Sequence, residues 1–206
     1  VSRQVRAIFE RYTDRIEPFG LDEAWLDVSA PDLTPEGAAP LADRIRDRIR
    51  EELGVTASVG VSYNKIFAKL GSDMKKPDAT TTILRENYRD TVWRLPVESL
   101  LYVGPATTRK LRRIGILTIG ELAALDTGYL HRMLGKWGEV LHQFANGEDR
   151  SPVARTGEED PIKSVGNSTT TPRDLMNEDD VRMVVYVLAE SVAARLREHG
   201  FLSRTV

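Results

Sequence analysis

Two neighbouring carboxylates, Asp22 and Glu23, stand in the run FGLDEAWLD (residues 19–27), at the mouth of an expected strand. Like charges about 4 Å apart repel by about 4 kcal/mol at an effective dielectric of 20. A divalent cation reverses that sign, and hard carboxylate oxygens suit it. In a regular strand, successive side chains face opposite ways, so Asp22 and Glu23 converge only at a turn, bulge or strand end. Gly20 permits such a bend. The competing reading is a solvated acidic strand end. A second group is basic. Lys65 and Lys69 lie one helical turn apart in SYNKIFAK, and Lys76 follows before Pro77, where the backbone is expected to be extended. A lysine there can meet a phosphate as a point charge, or belong to a solvated basic face. The third group is YVGPATTRKL (102–111), a glycine turn leading into a helix whose first turn holds Thr107 and Thr108. Free amides at such a start favour an anion, and Arg109, Lys110, Arg112 and Arg113 add charge for a phosphate backbone. A plain helix–helix turn is the alternative.

Other chemistries find little support. His131, His142 and His199 show no metal-ligand spacing, no Walker-type loop or nucleophile elbow occurs, and Trp25, Trp93 and Trp137 read as core anchors.

The elements that must position these groups follow from periodicity. Val1, Val5, Ile8 and Tyr12 repeat at helix spacing. AWLDV (24–28) reads as a strand. Leu41, Ile45, Ile49 and Leu53 form the apolar stripe of a helix opposite Arg44, Arg46, Arg48 and Arg50, and Gly54 suits its cap. Val55, Ala57, Val59 and Val61 alternate as a half-buried strand. A helix is predicted near 65–74 and a short strand at 81–84. Together these predict one mixed sheet with helices on a face. Short helices near 107–113, 118–124, 127–134 and 137–146, separated by Gly104, Gly115, Gly128, Gly135 and Gly147, predict a compact all-α unit. Residues 148–162 read as a polar linker. KSVGNSTTT looks like a strand. A long helix follows, with Asn177 as N-cap and Val181, Val184, Val185, Leu188, Val192 and Leu196 as its stripe, and FLSRTV looks like a strand beginning.

The 206 residues carry 29 basic and 31 acidic side chains, a formal net charge of −2, and no cysteine. Disulfide scaffolds, thiol catalysis and cysteine-ligated zinc are excluded. No apolar run approaches a membrane span and no signal peptide is visible, so a cytoplasmic, non-membrane protein is expected. The charge is uneven: residues 1–83 and 151–206 each sum to −2, and residues 84–150 to +2. The basic stretch is thus the one that carries the glycine turn. Both ends read as cut from something longer.

In order, these motifs resemble Y-family translesion DNA polymerases, most closely the bacterial DNA polymerase IV group (ImpB/MucB/SamB type). GLDEAWLDVS is similar to the family's strand motif, SVGVSYNKIFAKLGSDMKKPD to its lysine-rich stretch, VGPATTRKLRRIGILTIGELA to its helix-hairpin-helix, and PIKSVGNSTTT to the opening of its C-terminal domain. The resemblance implies an α+β fold: a partial palm over 1–83, an all-α helix-hairpin-helix thumb over 84–150, a linker over 151–162 and the start of an α+β little finger over 163–206. It implies Asp22 and Glu23 as catalytic ligands of two Mg²⁺ ions and Lys76 as a triphosphate contact. It implies Gly104, Ala106, Thr107, Lys110, Lys163, Ser164 and Gly166 as DNA contacts. Primer-template DNA and a dNTP would be partners of a monomer, with a sliding clamp reached through a segment outside this sequence. Departures are Gly20 for Ser, Trp25 for Tyr, Tyr102 in the hairpin's first glycine position and Asn167 for a basic residue. The family's further catalytic Asp and its fingers domain are expected before Val1, so these residues alone are expected to be inactive. Two alternatives remain: a non-catalytic DNA-binding module of the same descent, and a metal-dependent phosphotransferase or cyclase on a palm-like sheet.

Overall fold

The computed structural model describes residues 1–157 and 162–205. The chain divides into two compact units, Val1–Glu158 and Glu159–Val206.

The first unit begins with α1 (Ser2–Phe9), whose Ile8 is buried against Ile45 and Ile49 of α2 (Pro35–Leu53). Thr34 caps α2 by accepting from the Gly37 amide, Pro35 takes the first helical position, and Gly54 closes it at φ +67°. Between them β1 (Ile16–Phe19) and β2 (Glu23–Leu26) form an antiparallel hairpin pairing Phe19 with Glu23, the turn opening on Gly20 at φ +78°. β1 has no apolar alternation, and its Pro18 suits a strand with an open edge. β3 (Val59–Ser62) pairs in parallel with β4 (Thr80–Ile83), and α3 (Lys65–Met74) is the crossover that a parallel pair requires.

The single mixed sheet read from the sequence is therefore two separate two-stranded sheets among the described residues. The predicted strand from Val55 begins only at Val59, because β4 offers partners only from Thr80 onward. α3 seats flat on β3 through Gly60: a Cβ there would lie 1.8 Å from the Ala68 carbonyl oxygen and 2.6 Å from the Ser72 amide.

Arg46, placed by the helical pattern on a solvated face, is instead largely covered. It donates to the Ala57 carbonyl at 3.2 Å, the Thr80 hydroxyl at 3.1 Å, the Asp43 carboxylate at 2.8 Å and the Asp78 carboxylate at 2.8 Å. Asp78, at φ +53°, ends the loop between α3 and β4 and also takes Arg50 at 3.0 Å. Hydrogen bonds from Arg46 lead the causes that hold the Asp78 carboxyl below the ordinary 3.8; burial opposes and Arg50 adds. Its share of stability is therefore present in full above pH 3.8 and lost as pH falls through the lower folded value. Asp78→Asn is expected to be less stable at neutral pH and to lose less on acidification, as urea midpoints between pH 7 and pH 3 would show.

From residue 88 the unit is helical: α4 (Tyr88–Thr91), a 3₁₀ turn (Val97–Ser99), α5 (Pro105–Arg113), α6 (Ile119–Ala123), α7 (Thr127–Leu134) and α8 (Lys136–Ala145). Thr118 and Glu121 form a capping box on α6, and Asp126 caps α7. Gly115, Gly135 and Gly147 turn the chain at positive φ, whereas Gly128 lies inside α7 and separates nothing. One core runs through Ile66, Phe67, Leu70 and Ile83 into Val92, Leu111, Ile119, Leu122, Leu130 and Leu141. Each such side chain contributes roughly 1.5–3 kcal/mol by leaving water. Trp93 anchors this core, packing on Gly120 and donating its indole N–H to the Ala145 carbonyl at 3.0 Å. Trp137 does not: it is 43% exposed, edge-on to Tyr102 with ring centroids 5.6 Å apart.

Residues 151–157, expected as linker, lie bonded against the hairpin. The Ala154 amide donates to Glu17 at 3.0 Å, the Thr156 amide to the Asp14 carbonyl at 2.9 Å, and Lys65 Nζ to both Glu17 and the Pro152 carbonyl. Residues 158–161 lie outside the described residues.

The second unit holds α9 (Glu178–Glu198), capped by Asn177, which accepts from the Asp180 amide at 2.8 Å. KSVGNSTTT forms no strand, since extended backbone becomes a strand only with a ladder partner and none stands beside it among the described residues. Residues 201–205 are likewise without strand, and Val206 lies outside the described residues. No helix among the described residues is long and apolar enough to cross a membrane.

Candidate active site and nucleic-acid interface

Asp22 closes the β1–β2 turn and is exposed; Glu23 opens β2 and is half-buried. Gly20 bends the backbone as its sequence position suggested, and the two carboxylates come from one hairpin tip. Trp25, two residues on and on the same face of β2 as Glu23, donates to the Lys65 carbonyl at 2.9 Å and carries the Lys65 ammonium 5.1 Å above its ring. The tip is thereby fastened to the start of α3.

α3 then supplies a chain of charge. Lys69 Nζ lies 3.0 Å from Glu23 Oε1 and 2.5 Å from Asp73 Oδ2, and Lys76 Nζ lies 2.7 Å from Asp73 Oδ1. Asn64 starts the helix by accepting from the Phe67 amide at 2.8 Å, which puts Ile66, Phe67 and Leu70 in the core and Lys65, Lys69 and Asp73 in a stripe along one edge of that face. Burial works against the Lys69 ammonium, but the hydrogen bonds and charges of Asp73 and Glu23 outweigh it, and its pKa is raised. Burial likewise pushes the Asp73 carboxyl up, and Lys69 and Lys76 pull it below its ordinary value. The sequence reading placed Lys69 on a basic face and gave Asp73 no role. The signal was the i,i+4 spacing of Lys69 and Asp73 and the i,i+3 spacing of Asp73 and Lys76.

A cleft of about 400 Å³ leads from Lys69, Leu70 and Asp73 to Tyr102, Val103 and Gly104. Gly104 is the N-cap of α5 and provides no side-chain cap. Pro105 has no N–H, and the amides of Ala106 and Thr107 are among the first-turn donors that a helix leaves without internal partners. Gly104 and Ala106 are exposed, Thr107 is half-buried and Lys110 is exposed one turn on. Tyr102 holds φ +70° where a glycine would be free of strain, its ring against Trp137 and Phe144. In the second unit Lys163, Ser164 and Gly166 are exposed, and the Gly166 carbonyl accepts from Arg195 at 2.6 Å. Asn167 donates to the Ser191 hydroxyl at 2.9 Å.

The donor set suits a hard divalent cation in kind, two carboxylates at an open tip. Among the described residues no group of three or more His, Cys, Asp or Glu converges to complete such a site.

The fold and the family models agree. Residues 1–73 match the model described as impB/mucB/samB family, and residues 162–206 the model for that family's C-terminal domain. The chain belongs to the impB/mucB/samB family, the Y-family of DNA polymerases. The whole chain aligns with the DNA polymerase IV of Acetivibrio thermocellus at 58% identity over 205 residues, covering 51% of that protein. It aligns with the DNA polymerase IV of Moorella thermoacetica at 40% identity, again covering 51%. The chain thus spans about half the length of these relatives. Among solved structures, a Dbh-based Y-family DNA polymerase chimera superposes with a TM-score of 0.80 at 25% identity, covering 94% of this chain and 56% of that one. An insertion ternary complex of Dbh DNA polymerase gives 0.68 at 28%, covering 74% and 45%.

Proposed function

We propose that this chain is the catalytic-carboxylate and DNA-gripping part of a template-directed, lesion-bypass DNA polymerase. The observation that carries this reading is the cleft that runs from Lys69 and Asp73, the middle of the Glu23–Lys69–Asp73–Lys76 charge chain, to Gly104 at the start of α5. Glu23 is paired with Lys69 at one end and α5 begins at the other, an arrangement that would bring a primer's backbone towards a metal-dependent transfer.

In this reading residues 1–83 serve as palm, 84–150 as thumb and 163–206 as the opening of the little finger. Asp22 and Glu23 would hold the divalent ions, Mg²⁺ in the family's usage. When bound, these ions lower the pKa of the primer 3′-hydroxyl and neutralise the triphosphate. The chain's own side chains do the rest. Lys76 leaves Asp73 for the incoming triphosphate. The Ala106 and Thr107 amides take the primer phosphate, and Lys110 adds a sequence-independent charge. Lys163, Ser164 and Gly166 would meet the DNA backbone from the second unit.

Two carboxylates are too few to cage two ions, so the reading requires a further acid from outside the described residues. A non-catalytic DNA-binding module is the second reading, favoured by the incomplete donor set among the described residues. The deciding experiment is extension of a primer by the full-length protein with Mg²⁺ and dNTPs, read against template sequence. Templated incorporation is expected. Tight primer-template binding without incorporation would move the protein to the second reading, and products from ATP or GTP alone would overturn both.

A further inference from the structure

We propose that Lys69 is a resident counter-ion, a positioning residue that holds Glu23 and Asp73 together where a divalent cation would otherwise be needed, and that an incoming cation must take Glu23 from it. The inference rests on the polymerase reading, which makes Glu23 a metal ligand. Its own support is geometric. The Lys69 side chain is only 14% exposed, and its single nitrogen touches carboxylates from two different elements, Glu23 of β2 and Asp73 of α3. The lysine of the adjoining Lys76–Asp73 pair is 55% exposed.

Exposed ion pairs hold little, but a covered ammonium between two acids cannot be exchanged for water without leaving those acids to repel. A divalent ion seated on Glu23 comes within a few ångström of Nζ, and the two positive centres repel. The chain therefore keeps Glu23 aimed in the absence of metal, at the cost of weaker metal affinity. Asp73 is the second anchor that lets Lys69 give up Glu23 and stay paired.

Titration of the full-length protein with Mn²⁺ alone, without DNA or nucleotide, tests this. Lys69→Met is expected to bind Mn²⁺ about tenfold tighter, since the competing charge is gone. Lys69→Arg, which keeps the charge, is expected to stay within about twofold of the unsubstituted protein. A folded Lys69→Met with unchanged or weaker affinity overturns the proposal, because a purely structural lysine would not oppose the metal. If Lys69→Met folds only when Mn²⁺ is present, the metal has replaced the lysine and the proposal stands. If it folds in neither condition, Lys69→Met/Asp73→Asn is compared with Asp73→Asn. The double variant should bind more tightly, and equal affinity overturns the proposal. Glu23→Gln separates the two levels of inference. If it leaves Mn²⁺ binding intact, the polymerase assignment of Glu23 fails, whatever Lys69 does.

Discussion

Asp22→Ala or Glu23→Ala in the full-length protein is expected to slow primer extension by about a thousandfold or more, with primer-template affinity nearly unchanged. The size follows from what these oxygens would do. A bound metal supplies several kcal/mol of charge stabilisation in the transition state, and each 1.4 kcal/mol is a factor of ten. Removing a ligand would forfeit that term, whereas in the proposed reading DNA affinity would rest on α5 and the second unit. The two variants should differ in stability. Asp22 is exposed at the turn, so its removal leaves the fold untouched. Glu23→Ala leaves Lys69 with Asp73 alone and should lower the unfolding midpoint modestly. Single-nucleotide incorporation and binding of a labelled primer-template check both halves. Normal turnover in either variant would remove that residue from the site.

Gly60→Ala is the second large effect, and it acts through packing. The added Cβ would sit 1.8 Å from the Ala68 carbonyl oxygen and 2.6 Å from the Ser72 amide, both backbone atoms of α3 that no rotamer can move aside. Relief requires α3 to lift from β3, and a loss of about 3 kcal/mol or more is expected, at the top of the overpacking range. Because α3 carries Lys65, Lys69 and Asp73, the same shift would separate Lys69 from Glu23 and lower activity beyond the loss of stability. Urea unfolding measures the first effect. Extension assayed well below the unfolding midpoint measures the second. A variant as stable as the unsubstituted protein would show that the helix does not need this close approach.

The contrast between Gly60 and Glu23 shows what was legible beforehand. Helix α3 is written in sequence by its Asn64 cap and by Ile66, Phe67 and Leu70, and its limits match the expectation at 65–74. Residue types and the bend at Gly20 were enough to place Asp22 and Glu23 at one tip, whereas their role as metal ligands came only with the family resemblance. β1 escaped because a four-residue strand containing Pro18 has neither alternation nor branched residues, and only pairing with β2 defines it. Arg46 was misplaced because periodicity reports a helical face, not what the far end of a long side chain reaches. The bonds of residues 151–157 to Glu17 and Asp14 were invisible because composition cannot distinguish a polar tether from a polar linker.

The shared core has a thermodynamic consequence. Phe67 and Ile83 belong to the strand-bearing part and Leu111 and Leu141 to the helical part, yet they bury one another in a continuous cluster. Residues 84–150 are therefore expected to unfold together with the strand-bearing part, with no separate transition. Cutting the chain near residue 84 would expose both halves of a single interior, so slow amide exchange should be shared across α3 and α8. Helix α3, which carries Lys69 and Asp73, and helix α5, which would meet the DNA backbone, share this one interior, so loosening of either is expected to loosen the other.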